Sequence, residues 1–100
     1  MQEVTRTGPV DDATDGFDDF FRAEHPKLLA LGRALAPTVA ADLAQESLIR
    51  ACRNWASVAE MDIPGAWVRR VMLNLVADHH RSRTRRERAV DRLGAQLSAN

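Results

Sequence analysis

Apolar residues recur every three or four positions in three stretches of the chain, which is the spacing of an amphipathic helix. The first stretch reads FDDFFRAEHPKLLALGRAL, the second PTVAADLAQESLIRACRNW and the third PGAWVRRVMLNLVADHHRSRTRRER. Helix-forming residues are plentiful, whereas β-branched residues are few and scattered. The pattern predicts an all-α domain, a compact bundle of three to four helices.

The first helix is predicted to bury one aromatic and one leucine-rich stripe. Thr14 or Asp15 is its candidate N-cap, and Pro26 is expected to break or kink it. The inward-facing residues expected on either side of Pro26 are Phe17, Phe20, Phe21, Leu28, Leu31 and Leu35. Thr38 is the candidate N-cap of the second helix, and Pro64 suits the first turn of the third.

The second helix carries two contrasting faces. The core face comprises Ala44, Leu48, Ala51 and Trp55. The opposite face comprises Asp42, Glu46, Ile49 and Arg53, with Gln45 and Arg50 at its edges. An aliphatic residue among carboxylates is either an ordinary exposed side chain or a residue that a partner covers.

The third helix also has an apolar and a charged face. Its inward residues are predicted to be Trp67, Val68, Val71, Met72, Leu75 and Val76. The outward stripe, within about 60° of arc, contains Arg70, Asn74, Arg81, Arg85 and Arg88. Arginine neutralises phosphate and asparagine pairs with base edges, so the stripe predicts nucleic-acid contact unless it is simply a solvated helix end. Gly94 is a candidate stop beyond it.

The two halves of the chain carry opposite net charges. The chain has 14 basic and 14 acidic residues, but residues 1–50 carry nine acids and five bases, and residues 51–100 carry the reverse. The basic second half therefore favours a polyanionic partner.

The chain has a single cysteine, Cys52, which excludes a disulfide framework and favours a cytoplasmic location. Cys52 is expected to be a small buried apolar residue. No stretch approaches the length of a membrane span, so no membrane insertion is expected.

Catalysis is not expected from the titratable residues. His79 and His80 are adjacent, so their side chains diverge by about 100° on a helix, whereas helical metal pairs favour the i, i+4 spacing. His25 lies far away in sequence. The sequence therefore predicts neither a catalytic residue nor a metal or cofactor.

In order and spacing, FDDFFRAEHPKLLALGRAL, ADLAQESLIRACRNW and PGAWVRRVMLNLVADHHRSR resemble the second conserved region of a bacterial RNA polymerase sigma factor of the extracytoplasmic-function class. The resemblance covers residues 17–88. We expect residues 1–16 to form a disordered or flexible tail and residues 89–100 to begin a linker or C-terminal tail. In the family a second promoter-binding domain follows, so these 100 residues alone are expected to initiate transcription poorly.

The resemblance implies two binding surfaces and no bond chemistry. The second helix would contact the clamp helices of the largest subunit of RNA polymerase core, through Asp42, Gln45, Glu46, Ile49 and Arg53. The third helix and the loop before it would bind the single-stranded non-template strand of the promoter minus-ten element and hold one flipped base. The residues implicated there are Met61, Asp62, Ile63, Arg69, Arg70, Asn74, Arg81, Arg85 and Arg88. An anti-sigma factor is a further implied partner.

Two other functions remain open on the sequence. One is a helix-turn-helix regulator that reads duplex DNA, although the seven or eight residues between the second and third helices exceed the usual short turn. The other is a truncated sigma paralogue that titrates polymerase or an anti-sigma factor.

The loop sequence VAEMDI has no aromatic residue, so a base pocket there would use Met61, Ile63, backbone groups or aliphatic stems.

Overall fold

The computed structural model describes residues 15–99, which contain helices and no strand. The helices are α1 (Phe17–Leu35), a 3₁₀ turn (Pro37–Val39), α2 (Ala40–Arg53), the short α3 (Trp55–Val58) and α4 (Pro64–Ala99). The all-α prediction is confirmed. Residues 1–14, including the candidate cap Thr14, lie outside the described residues.

The core lies where α1, α2 and α4 meet, at the positions that helical spacing selects. Leu28 of α1, Leu48 of α2 and Met72 of α4 are completely or almost completely buried. Each such side chain contributes about 1.5–3 kcal/mol through burial. Within residues 15–99, Ser47 is the one fully buried polar residue, and its Oγ donates a hydrogen bond to the Leu43 carbonyl at 2.8 Å. The core is therefore apolar with its internal hydroxyl satisfied.

Small residues lie where the three long helices meet. A methyl group added to Gly32 of α1 would lie 2.7 Å from Met72 Cε and 2.9 Å from Ala40 Cβ. Glycine and alanine at these two positions let the backbones of α1 and α2 approach while Met72 fills the space beside them. The distance between the helices is thus set by residue size.

Aromatic packing fixes the start of α1 against α3. The Trp55 ring lies 5.3 Å from Phe17 and 5.0 Å from Phe20, centroid to centroid. Its Nε1 donates a hydrogen bond to the Asp15 carbonyl at 2.7 Å. The predicted capping role of Asp15 is wrong, because Gly16 occupies the N-cap position with φ of 87°, where glycine is favoured, and no side chain caps the helix.

Pro26 does not interrupt α1, which runs through it from Phe17 to Leu35. The expected break is wrong, because the buried face of the helix holds it on both sides of the proline, at Glu24, Leu28 and Gly32. The alternative expectation, a kink, stays a prediction. Pro26 itself is exposed, and so is Arg22, whose carbonyl loses its helical donor. Water can satisfy that carbonyl, so the cost of the proline is reduced.

The turn between α1 and α2 differs from the prediction at two residues. Leu35 is exposed rather than inward-facing, because the chain leaves α1 there and Ala36 takes the buried position. Thr38 is not an N-cap, because residues 37–39 form a 3₁₀ turn that leads straight into α2 and Val39 occupies the N-cap position. The two helices are therefore joined by backbone geometry rather than by a capping side chain.

The second half of α4 projects beyond the bundle. Val76 is the last buried residue of this 36-residue helix, and every described residue after Ser82 is exposed. The predicted stop at Gly94 is wrong, since the helix continues to Ala99. An internal glycine costs a helix about 1 kcal/mol relative to alanine but keeps its backbone hydrogen bonds, so it need not end the helix.

Replacing Gly32 with alanine tests the close helix contact. We expect Gly32→Ala to destabilise the fold by about 1–3 kcal/mol through overpacking against Met72 and Ala40, despite the better helix propensity of alanine. Urea unfolding followed by circular dichroism measures the change. Gly94→Ala is the matched control, because no atom lies within 4 Å of its added methyl group. This control should leave stability unchanged or raise it slightly, and equal effects of the two changes would contradict the packing argument.

Candidate functional site

The acidic ridge, defined as Asp42, Gln45, Glu46, Ile49 and Arg53, runs along the outward side of α2. Asp42, Gln45 and Arg53 are exposed, and Glu46 and Ile49 are half-buried. The ridge lies opposite the buried face of α2, so the helix that anchors the core also presents these side chains. Glu46 pairs with Arg50 at 3.0 Å one turn along, a surface contact worth at most about 1 kcal/mol.

An open apolar groove of about 400 Å³ lies beside the ridge, between α1 and α2. Its lining residues are Phe17, Phe21, His25, Ala41, Gln45, Leu48, Ile49 and Cys52. Gln45 and Ile49 thus belong to both ridge and groove. Cys52 is exposed in the groove wall, so the expectation that it is buried is wrong: α2 points it beside the core rather than into it.

Sequence reasoning missed the α1 wall of this groove. The Phe21 and His25 rings stack with centroids 5.1 Å apart and planes 9° apart, and Phe21 remains partly exposed. The i, i+4 spacing of these two residues was visible in the sequence. The sequence did not show how α1 and α2 are placed relative to each other, and it is this placement that makes the two residues a wall of the groove.

The basic rail, defined as Arg70, Asn74, Arg81, Arg85 and Arg88, lies on the outside of α4, and all five residues are exposed. Arg81 pairs with Asp78, and Arg85 donates to the Ser82 hydroxyl at 3.2 Å. Within residues 15–99, Arg70 and Arg88 make no ion pair. The rail starts on the bundle and continues along the projecting half of α4.

The loop between α3 and α4, residues 59–63, exposes two apolar side chains. Met61 is partly exposed and Ile63 is 64% exposed, with the exposed Asp62 between them. Backbone hydrogen bonds from Ala59 N to Trp55 O and from Ala66 N to Ile63 O hold the two ends of the loop against the helices. This loop offers an apolar rim next to the first turn of α4.

Arg69 stands apart from the other predicted DNA-binding residues. Its Nη1 donates to Glu24 Oε1 at 2.8 Å, and the Glu24 side chain is almost completely buried. The structure therefore places Arg69 against α1 rather than on the basic rail. Glu24 escaped sequence reasoning because a single carboxylate in a polar stretch carries no indication that it is buried.

His80 Nε2 lies 2.8 Å from the Leu35 carbonyl, where it can donate a hydrogen bond to the end of α1.

Metal-binding and membrane-spanning features are absent from the part of the chain that the structure describes. Residues 15–99 contain no group of three or more His, Cys, Asp or Glu side chains placed to hold a metal ion. Over the same range, no helix combines the length and apolar character that crossing a membrane requires.

Comparison with known proteins identifies the family. Residues 20–86 match the model of Sigma-70 region 2. The chain is similar to the RNA polymerase sigma-E factor of Streptomyces avermitilis, with 32% identity over 79 residues; the match covers 77% of this chain and 44% of that relative. No solved structure matches the chain. Because the family match spans more than half of its length, the chain belongs to the Sigma-70 region 2 family of sigma factor domains.

Proposed function

We propose that this protein is a sigma region 2 domain of the extracytoplasmic-function class. It binds RNA polymerase core through the acidic ridge and recognises and melts the promoter minus-ten element through the basic rail and residues 59–63. The observation that carries the proposal is the separation of a polar ridge with an apolar groove from a basic rail, on different helices of one bundle. One domain can then hold a protein and a polyanion at once.

The ridge and groove suit a helical protein partner. The groove is open and mainly apolar, and Ile49 lies where it meets the carboxylates of the ridge. A large apolar side chain of the polymerase clamp helices would enter the groove while arginines of the same helices face Asp42 and Glu46. Such an apolar anchor surrounded by polar contacts is the usual source of interface affinity.

The rail and loop suit melted DNA. Arg70 makes no ion pair within residues 15–99, and Asn74, one turn away, offers an amide that can pair with a base edge. Met61 and Ile63 supply apolar surface for a base that has left the stack. Binding the extruded base stabilises the open duplex by mass action, so melting requires no bond chemistry.

The similarity to a protein named RNA polymerase sigma-E factor supports the class assignment. The chain spans less than half the length of that relative. A linker and a second promoter-binding domain beyond residue 100, and an anti-sigma factor that controls access to the ridge, complete the proposal.

A charge introduced where the groove meets the ridge tests polymerase binding. We expect Ile49→Arg to abolish binding to polymerase core, because it places a cation where an apolar side chain docks. Ile49 is only half-buried, so stability should fall by about 1 kcal/mol or less. A pull-down with bacterial RNA polymerase core and a urea melt measure the two effects.

Val90→Arg is the matched control for Ile49→Arg. Val90 is an exposed aliphatic residue on the projecting half of α4, far along the chain from the groove. This variant should bind core as the wild type does. Retention of core binding by Ile49→Arg at wild-type affinity would exclude the ridge as the docking surface.

Removing the amide of the rail tests promoter recognition. We expect Asn74→Ala to weaken the preference for the minus-ten single strand over a scrambled strand by about 1–3 kcal/mol, the value of one base-edge contact. Core binding should not change. Fluorescence anisotropy with labelled single strands, in the presence of core, measures the preference.

The same assay separates the rival functions. A sigma domain prefers the single non-template strand, whereas a helix-turn-helix regulator prefers duplex DNA of the same sequence. A titrating paralogue would bind core and be indifferent to Asn74→Ala. A preference of the wild type for duplex DNA, or an unchanged strand preference in Asn74→Ala, would contradict promoter recognition by α4.

A further inference from the structure

Glu24 is a carboxylate held almost entirely inside the protein. It belongs to the buried face of α1 and is only 7% exposed. Its Oε1 accepts a hydrogen bond from Arg69 Nη1 at 2.8 Å, and Lys27 Nζ lies 3.9 Å from its Oε2. A buried carboxylate requires a cation and hydrogen bonds to offset its lost hydration, and Arg69 supplies both.

Gly65 shows how tightly this pair is enclosed. A methyl group added there would lie 2.5 Å from Glu24 Oε2 and 2.8 Å from Arg69 Nη1. Gly65 is buried in the first turn of α4, directly after residues 59–63 and Pro64. The carboxylate and guanidinium therefore pack directly against the backbone at which the loop becomes α4.

This arrangement connects α1 to the beginning of the basic rail. Arg69 and Arg70 are neighbours on α4, so their side chains diverge by about 100°. One points back to Glu24, and the other lies exposed on the rail. Because the ion pair spans the helices, it fixes the position of the first turn of α4, and with it the end of residues 59–63, relative to α1.

We infer that Glu24 is a positioning residue for promoter recognition and that Arg69 acts through it rather than as a phosphate ligand. The inference rests on the proposed function, because it assigns a role within the same DNA-binding surface. The ion pair keeps the exposed apolar side chains of residues 59–63 at a fixed position relative to Asn74. Weakening the ion pair lowers selectivity for the flipped base and leaves the groove that binds polymerase unchanged.

The experiment compares five variants of the full chain bound to bacterial RNA polymerase core. Glu24→Gln removes the charge at nearly constant shape, and Gly65→Ala displaces the pair while leaving both charges in place. Arg69→Gln is matched with its neighbour Arg70→Gln. Asp18→Asn controls for the loss of an α1 carboxylate, because Asp18 is exposed.

The probe is a single-stranded oligonucleotide selected from a randomised pool on the wild-type complex, together with its scrambled sequence. Two quantities are measured by anisotropy: the affinity ratio between the two strands, and the slope of log affinity against log salt concentration. Binding to core in the absence of DNA is measured in parallel. Circular dichroism confirms that each variant is helical at the assay temperature.

We expect Glu24→Gln and Gly65→Ala to lower the affinity ratio about tenfold, which is the effect of weakening one charge-assisted hydrogen bond. Asp18→Asn should leave the affinity ratio unchanged. Core binding should be that of the wild type in all three. Arg70→Gln should reduce the steepness of the salt slope by about 0.7, the value for one single-strand phosphate contact, and Arg69→Gln should leave it unchanged.

A salt slope that falls as much in Arg69→Gln as in Arg70→Gln would overturn the inference, and so would an unchanged affinity ratio in Gly65→Ala. If Glu24→Gln does not fold, Gly65→Ala and Arg69→Gln decide the question by the same two measurements. A selection on the wild-type complex that enriches no sequence would overturn the proposed function, and the inference with it. A clear wild-type preference that Glu24→Gln and Gly65→Ala retain would overturn the inference alone.

Discussion

The close packing of α1 against α2 and α4 at Gly32 is the contact on which the rest of the structure depends. Because Gly32 and Ala40 are small, the backbones approach and Met72 closes the space between them. That approach brings Phe21 of α1 near Ile49 of α2, forming the groove. It also brings α1 near enough to α4 for Glu24 to reach Arg69. Wider helix spacing would remove both arrangements at once.

The two candidate surfaces are supported by different contacts with α1. The groove is formed against Phe17, Phe21 and His25, whereas the start of the rail is held by Glu24. The two surfaces can therefore be altered separately, although both belong to one small core.

Much of the fold was predictable because one side of each helix must be buried. Leu48, Val68 and Met72 follow directly from helical spacing, and the ridge and rail follow as the opposite sides. Features that depend on how two helices meet were not predictable. Glu24 is buried and Cys52 exposed because of how α1 and α2 are rotated about their axes, which residue spacing does not determine.

Two predictions of helix ends from proline and glycine also failed. Pro26 and Gly94 are residues that commonly end helices, yet both lie within helices. In α1 the packed residues on each side of Pro26 compensate for the missing amide hydrogen bond. In α4 the residues around Gly94 are exposed, so no tertiary contact favours another backbone conformation. A proline or glycine therefore does not end a helix where packed residues hold both sides of it, as at Pro26, or where no tertiary contact favours another backbone conformation, as at Gly94.

The projecting half of α4 has a thermodynamic consequence. Residues 81–92 carry six arginines and two acids, and beyond Ser82 no described residue is buried to hold the helix in place. Mutual repulsion of the guanidinium groups opposes the helical conformation, and the contacts that arginines make with nearby acidic and hydroxyl side chains partly offset it. Neutralisation by a bound polyanion would relieve that repulsion. Helix formation in this segment is therefore linked to ionic conditions, and amide hydrogens there should exchange with solvent far sooner than those facing Leu28.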